Sequence, residues 1–161
     1  MAVRVQREDF DLGRELAALS SGNHGVGGLA SFVGLVRDMA PGPLGDEQVG
    51  AMTLEHYPGM TEKMLERIEA EARERWPLEA SLIIHRYGRL EPGEQIVLVA
   101  TASAHRQAAL ESCSFLIDWL KTQAPFWKLE ETPDGAHWVE ARDSDDAAAA
   151  RWTVKEPDAA E

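Results

Sequence analysis

An α+β fold, with helices packed on a mainly antiparallel sheet, follows from three features of the chain. Helix-like and strand-like stretches mix without the alternating rhythm that builds a parallel sheet. Two tight-turn strings, EPGE at 91–94 and PDG at 133–135, each lie between runs of strand character. At 161 residues with 44% hydrophobic content, the chain suits one domain with a substantial core. Residues 1–152 are assigned to that domain, and 153–161 to a frayed polar tail.

Each element has its own signal. Over 8–20, Phe10, Leu12, Leu16 and Leu19 recur at mostly helical spacing until Ser21, Gly22 and Asn23 stop the helix. Residues 26–37, rich in β-branched and apolar side chains with interspersed glycines, read as a strand. The stretch 38–50 contains Pro41, Pro43, Gly42, Gly45 and Gly50, has no periodicity, and is expected to be a mobile loop. A strand over 51–57 leads through Pro58 and Gly59 into a helix that ends near Trp76 and Pro77. Its expected buried face is Met60, Met64, Ile68 and Ala72. Residues 81–87 and 95–101 flank the first turn string as a hairpin. A third helix follows, with Ser103 as its expected N-cap and Ala109, Cys113, Leu116, Ile117 and Leu120 as its buried stripe. Pro125 lies past its end. Residues 126–130 and 137–141 make the second hairpin.

Composition narrows the function. A net charge of −12 opposes broad binding to nucleic acid or anionic membranes, because the summed field repels phosphate. No stretch reaches the roughly 18 apolar residues of a membrane span, and the N-terminus lacks the apolar core of a signal peptide, so a cytoplasmic protein is expected. A single cysteine, Cys113, excludes an internal disulfide framework, and its place on an apolar helix stripe reads as core. The five histidines show no ligand spacing, so no metal site is expected.

Between 103 and 128 the charge balance reverses locally: Arg106, Lys121, Lys128 and His105 face only Glu111 and Asp118. His105 and Arg106 fall at the start of the third helix, where free amides already attract anions. They can complete an anion site or simply point to solvent. Lys121 at the end of the same helix is favoured there by the helix dipole whether or not it has a further task. Lys128 alternates with Trp127 and Leu129 and shares a strand face with Phe126 and Glu130. Beside aromatics it either loses solvation, becoming available as nucleophile or base, or snorkels from a strand edge.

Six strings occur in order: FVGLVRD at 32–38, LEHYPGM at 54–60, HRYG at 85–88, SAHR at 103–106, FLIDWLK at 115–121 and PFWK at 125–128. Together they resemble the large, catalytic subunits of molybdopterin synthase. The likeness runs on through WVEAR at 138–142 to about Trp152. The resemblance implies an α/β hammerhead-like fold with added helices and a sulfurtransferase of molybdenum cofactor biosynthesis. Its substrate would be cyclic pyranopterin monophosphate, or precursor Z, which gains the dithiolene sulfurs. Sulfur would arrive as a thiocarboxylate on the C-terminal Gly-Gly of a small ubiquitin-like carrier. Two large subunits would form a central homodimer, completed by two carriers as a heterotetramer, with no cofactor or metal of their own.

Position by position, Lys121 and Lys128 match the two pocket lysines of that family. Arg37, His105, Arg106 and Arg142 match its anion-binding positions, with His105 and Arg106 serving the neighbouring subunit's pocket. Leu35, Val36, Leu129 and Glu130 flank these and are expected to line the pterin site. The chain departs at Leu129, where members commonly carry a second basic residue. Two other roles suit the same residues: a non-catalytic module that docks an anionic tail, and an assembly protein that uses its aromatic surfaces only to oligomerise.

Overall fold

The computed structural model describes residues 2–37, 39–40, 47–48, 50–132, 135–139, 147 and 150–152. In chain order the elements are β1 (Val3–Gln6), α1 (Leu12–Ser20), β2 (Gly28–Leu35), β3 (Met39–Ala40), β4 (Glu47–Gln48), β5 (Ala51–His56) and α2 (Met60–Arg75). They continue with β6 (Leu78–Arg86), β7 (Gly88–Leu90), β8 (Gln95–Ser103), α3 (Arg106–Gln123), β9 (Phe126–Thr132) and β10 (Gly135–Val139). The α+β class stands, with two four-stranded sheets ordered β1-β6-β8-β2 and β10-β9-β5-β7. No helix among the described residues is long and apolar enough to cross a membrane.

The first sheet grows from the hairpin expected around residues 91–94: β6 and β8 pair antiparallel from Ser81↔Thr101 to His85↔Val97. Gly93 takes the positive φ of 89° that the turn requires. The sheet is covered on both faces, which is why β6 and β8 read as nearly continuous apolar runs. Leu82, Ile84, Leu98 and Ala100 pack with Phe10 against Leu12, Leu16 and Leu19 of α1. On the other face, Ile83, Val97 and Val99 meet Leu65, Ile68 and Ala72 of α2 and Ala109, Cys113, Phe115, Leu116 and Leu120 of α3. His85 has the parity of Ile83 and so belongs to the α2–α3 side.

Several sequence expectations need correction. No element is foreseen before residue 8, yet β1 pairs parallel to β6, Val3 with Ile83. The 38–50 stretch, expected to be loop, contains β3 and β4, paired Met39↔Gln48 and Ala40↔Glu47. The buried face of α2 is Thr61, Leu65, Ile68, Glu69 and Ala72, while Met60 is exposed. Tertiary bonds set that phase: the Thr61 hydroxyl accepts from Tyr57 N at 3.1 Å and donates to Pro125 O at 3.3 Å. At the other end of the sheet, Ser103 is not the N-cap of α3. It is the last residue of β8, its Oγ donates to Pro77 O at 2.8 Å, and His105 occupies the cap position with no side-chain cap bond.

The second sheet is antiparallel throughout. The β9–β10 hairpin expected around residues 133–135 is present, with Gly135↔Thr132 next to the turn and Val139↔Lys128 at the far end. On its other side β9 pairs with β5: His56↔Phe126, Leu54↔Lys128 and Met52↔Glu130. The chain passes from β6 in one sheet through Tyr87 to β7 in the other, turning at Gly88 with φ 91°. The two sheets therefore meet where β6 ends, and that junction positions the site.

Candidate functional site

Lys121 stands in the last turn of α3, where the helix dipole favours a cation. His85 lies in the buried run of β6 that closes at Arg86, and is only 5% exposed. Its ring lies flat on that of Phe126, centroids 3.7 Å apart and planes at 17°. Phe126 opens β9 directly after the helix stop at Ala124 and Pro125. Lys128 follows two residues later on the same strand face, a spacing of about 7 Å. The helix end thus carries Lys121 within electrostatic reach of His85, and the strand start puts Lys128 on the face of Phe126, the ring stacked on His85.

The electrostatics agree. Burial pushes the His85 imidazole down to about 4, partly offset by its hydrogen bond to the Arg86 carbonyl, while the nearby charges of Lys121 and His56 depress it further. His85 Nδ1 lies 2.8 Å from Arg86 O. A carbonyl only accepts, so Nδ1 carries the proton and Nε2 keeps its lone pair. His56, across from Phe126 in β5, packs 4.2 Å from the Tyr87 ring and 6.4 Å from that of Phe126. Glu62 at the start of α2 stands 3.8 Å from His56 Nε2, and Arg7 covers the other ring of the group, Tyr87, at 4.9 Å.

Of the expected pterin-lining residues, Val36 joins this neighbourhood most directly. It is buried with Met52, Leu54 and Leu90, and Leu54 is the cross-strand partner of Lys128. Hydrogen bonds from Val36 N to Glu94 O and from Gly93 N to Val36 O tie it to the β6–β8 hairpin turn. Leu35 and Arg37 on either side of it are exposed. Leu129 is half-buried, its backbone between Thr53 and Trp138, and the Glu130 backbone pairs with Met52 and His137. Arg142 and the tail 153–161 lie outside the described residues.

His105 and Arg106 are not brought to the lysines of their own chain. They sit exposed at the opposite end of α3. Fifteen residues of helix between Arg106 and Lys121 rise about 22 Å, a span no side chain bridges. Their place is fixed against the start of β2: Gly27 N donates to Ser103 O at 2.9 Å, and a Cβ on Gly27 would lie 2.1 Å from Ala104 O.

Sequence reasoning missed His56, His85, Phe126 and Tyr87 as site residues. The only available signal was that HRYG and LEHYPGM recur among the ordered strings, since the two histidines meet through the junction of two sheets and not through local spacing. Cys113 is buried, as expected of a core residue. Its Sγ lies 3.8 Å from Val99 O, and burial pushes its thiol up to about 11, which suits packing and not nucleophilic chemistry. Among the described residues no group of three or more His, Cys, Asp and Glu side chains is placed to hold a metal ion.

Comparison with known proteins gives this geometry a context. The model of the MoaE protein family matches residues 5–123. The molybdopterin synthase catalytic subunit of Pseudomonas aeruginosa is 59% identical over 152 residues, spanning 94% of this chain and 99% of its own length. The solved structure of a molybdopterin biosynthesis MoaE protein from Burkholderia ambifaria superposes with a TM-score of 0.80 at 57% identity, covering 96% of this chain and 100% of that one. A molybdopterin synthase structure from Staphylococcus aureus superposes with a TM-score of 0.78 at 28% identity, covering 87% and 98%.

Proposed function

This chain belongs to the MoaE protein family, and on that premise we propose that it is the sulfur-transferring subunit of a molybdopterin synthase, with Lys121 and Lys128 as its catalytic pair. What supports the site is that the charge of Lys121, at the end of α3, reaches His85, while Lys128 shares a strand face with Phe126, the ring stacked on His85. The donor is a small ubiquitin-like carrier ending in a Gly-Gly thiocarboxylate, and the acceptor is cyclic pyranopterin monophosphate. Lys121 orients the thiocarboxylate by charge, and Lys128 relays protons. The thiocarboxylate sulfur forms a bond to a side-chain carbon of the pterin as that carbon's bond to oxygen breaks, and the departing oxygen takes the proton that Lys128 relays. Water then cleaves the acyl–sulfur bond, leaving sulfur on the pterin and a carboxylate on the carrier.

Arg37, His105, Arg106 and Arg142 supply the positive charge that a chain of net charge −12 otherwise lacks for an anionic substrate. Leu35, Val36, Leu129 and Glu130 flank the pterin. His105 and Arg106, roughly 22 Å along α3 from Lys121, act on the pocket of a second copy, within a homodimer that two carriers complete. A chemistry without thiol nucleophiles of its own suits the cytosol and the burial of Cys113.

The test is sulfur transfer with thiocarboxylated carrier and cyclic pyranopterin monophosphate. Lys121→Ala and Lys128→Ala each lower turnover by about 100-fold or more with unchanged circular dichroism. Near-normal turnover in both sinks the assignment. Arg37→Ala weakens pterin binding more than carrier binding, and an equal loss of both counts against its role.

A further inference from the structure

Resting on the sulfur-transfer reading, we propose that Thr61, in the first turn of α2, is a positioning residue for both lysines: its buried hydroxyl anchors the short link that carries Lys121 on one side and Lys128 on the other. That link is Ala124 and Pro125, between the end of α3 and the start of β9. Lys121 stands four residues before Pro125 and Lys128 three after it. A shift of the link therefore alters the spacing of the two ammonium groups.

The link's own shape is set locally. The Pro125 ring fixes its φ, Ala124 before it is extended at φ −73° and ψ 129°, and Phe126 N donates to Ala124 O at 2.9 Å. On the strand side β9 is held by β5, where His56 pairs with Phe126. The link's carbonyl is held from α2. The Thr61 hydroxyl donates to Pro125 O at 3.3 Å and accepts from Tyr57 N at 3.1 Å. One side chain thus ties the link to the end of β5 and to the helix start. That start is itself fixed, by Thr61 N to Tyr57 O at 2.9 Å and Gly59 N to Glu62 Oε2 at 2.6 Å. Thr61 is 0% exposed, so its hydroxyl is shut off from water. Valine would fill the same space without burying a polar group, so these two bonds are what threonine adds.

The test uses the full chain with the thiocarboxylated carrier and the cyclic pyranopterin. Thr61→Val keeps the shape and removes the hydroxyl, whereas Thr61→Ser keeps the hydroxyl. Thr61→Val is expected to lower kcat by about tenfold, the effect of a sub-ångström misplacement of the reacting groups, with KM for the pterin and carrier binding unchanged. Thr61→Ser restores most of kcat. Ile68→Val, which loosens the buried face of the same helix away from the link, keeps wild-type kcat. Wild-type kcat in Thr61→Val, or an equal loss in Ile68→Val, overturns the proposal.

Should Thr61→Val fold poorly, Thr61→Ala removes the same hydroxyl with a residue that favours helix, and wild-type kcat in that variant likewise overturns it. Amide hydrogen exchange needs no substrate. In the variants without the hydroxyl it should quicken at Tyr57 and Phe126 and stay unchanged at Ile83 and Val99 of the core sheet. Unchanged exchange at Phe126 overturns the anchoring. Absence of turnover in the wild-type chain would strike the sulfur-transfer reading, and exchange at Phe126 would still decide whether Thr61 holds the link.

Discussion

The indole of Trp152 is bound to α3 through Asp118, its Nε1 donating to Oδ2 at 2.6 Å. The same residue's carbonyl accepts from Arg75 of α2 at 2.5 Å, and its ring meets Trp76 and Phe115 edge-on at 5.6 and 5.8 Å. Arg151 adds bonds to Ser114 and Asp118, both at 2.6 Å. One residue late in the chain thus pins the two long helices to each other.

Removing that pin has a measurable cost. Trp152→Ala takes away a half-buried indole and strands Asp118 with Arg151 alone, so unfolding in urea should show a loss of about 3 kcal/mol. A loss below about 0.5 kcal/mol would show that the ring contacts contribute little.

Gly27 is constrained for a different reason. Its hypothetical Cβ at 2.1 Å from Ala104 O cannot be accommodated by a rotamer change, because the clash is with backbone. Gly27→Ala should destabilise by about 2 kcal/mol and push the 104–106 segment away from β2. The signature is lower turnover with normal carrier binding in a calorimetric titration; unchanged stability and turnover would show that the backbone there yields freely.

His85 ties stability to pH. Its folded-state value of about 4 lies below the ordinary 6.5, so the unfolded chain binds a proton more readily. The contribution is complete above pH 6.5 and is lost as pH falls from there through 4, at roughly 1.4 kcal/mol per unit, about 3 kcal/mol in all. Denaturation curves between pH 7 and pH 4 should therefore be less steep in pH for His85→Phe than for the wild type. Parallel curves would mean that the histidine does not titrate differently on folding.

Local chemistry made most of the fold readable. The EPGE turn, the stop at Pro125 and most of the α3 stripe are set by residues near in sequence and fall as expected, although Ile117 is only half-buried and Phe115 is buried in addition. What stayed hidden depends on distant partners. β1 exists because β6 offers it a parallel edge, and the face of α2 is chosen by a Thr61 hydroxyl that bonds to Tyr57 and Pro125. Ser103 looks like a cap in any local window, yet Pro77 O claims its hydroxyl. The site divides the same way. Lys121 and Lys128 were identifiable from the ordered strings, whereas the His56–His85–Phe126–Tyr87 group takes shape only where two sheets meet.

The length of α3 has a genetic consequence. Its 18 residues hold Arg106 and Lys121 roughly 22 Å apart, so in the proposed homodimer an Arg106→Ala allele and a Lys121→Ala allele damage different halves of each shared site. Co-expressed in equal amounts, the two dead chains should rescue each other: half the dimers are mixed, each mixed dimer has one intact site, and about a quarter of the activity returns. Two inactive copies that never complement would place both residues in one pocket of one chain, against the geometry of a straight helix.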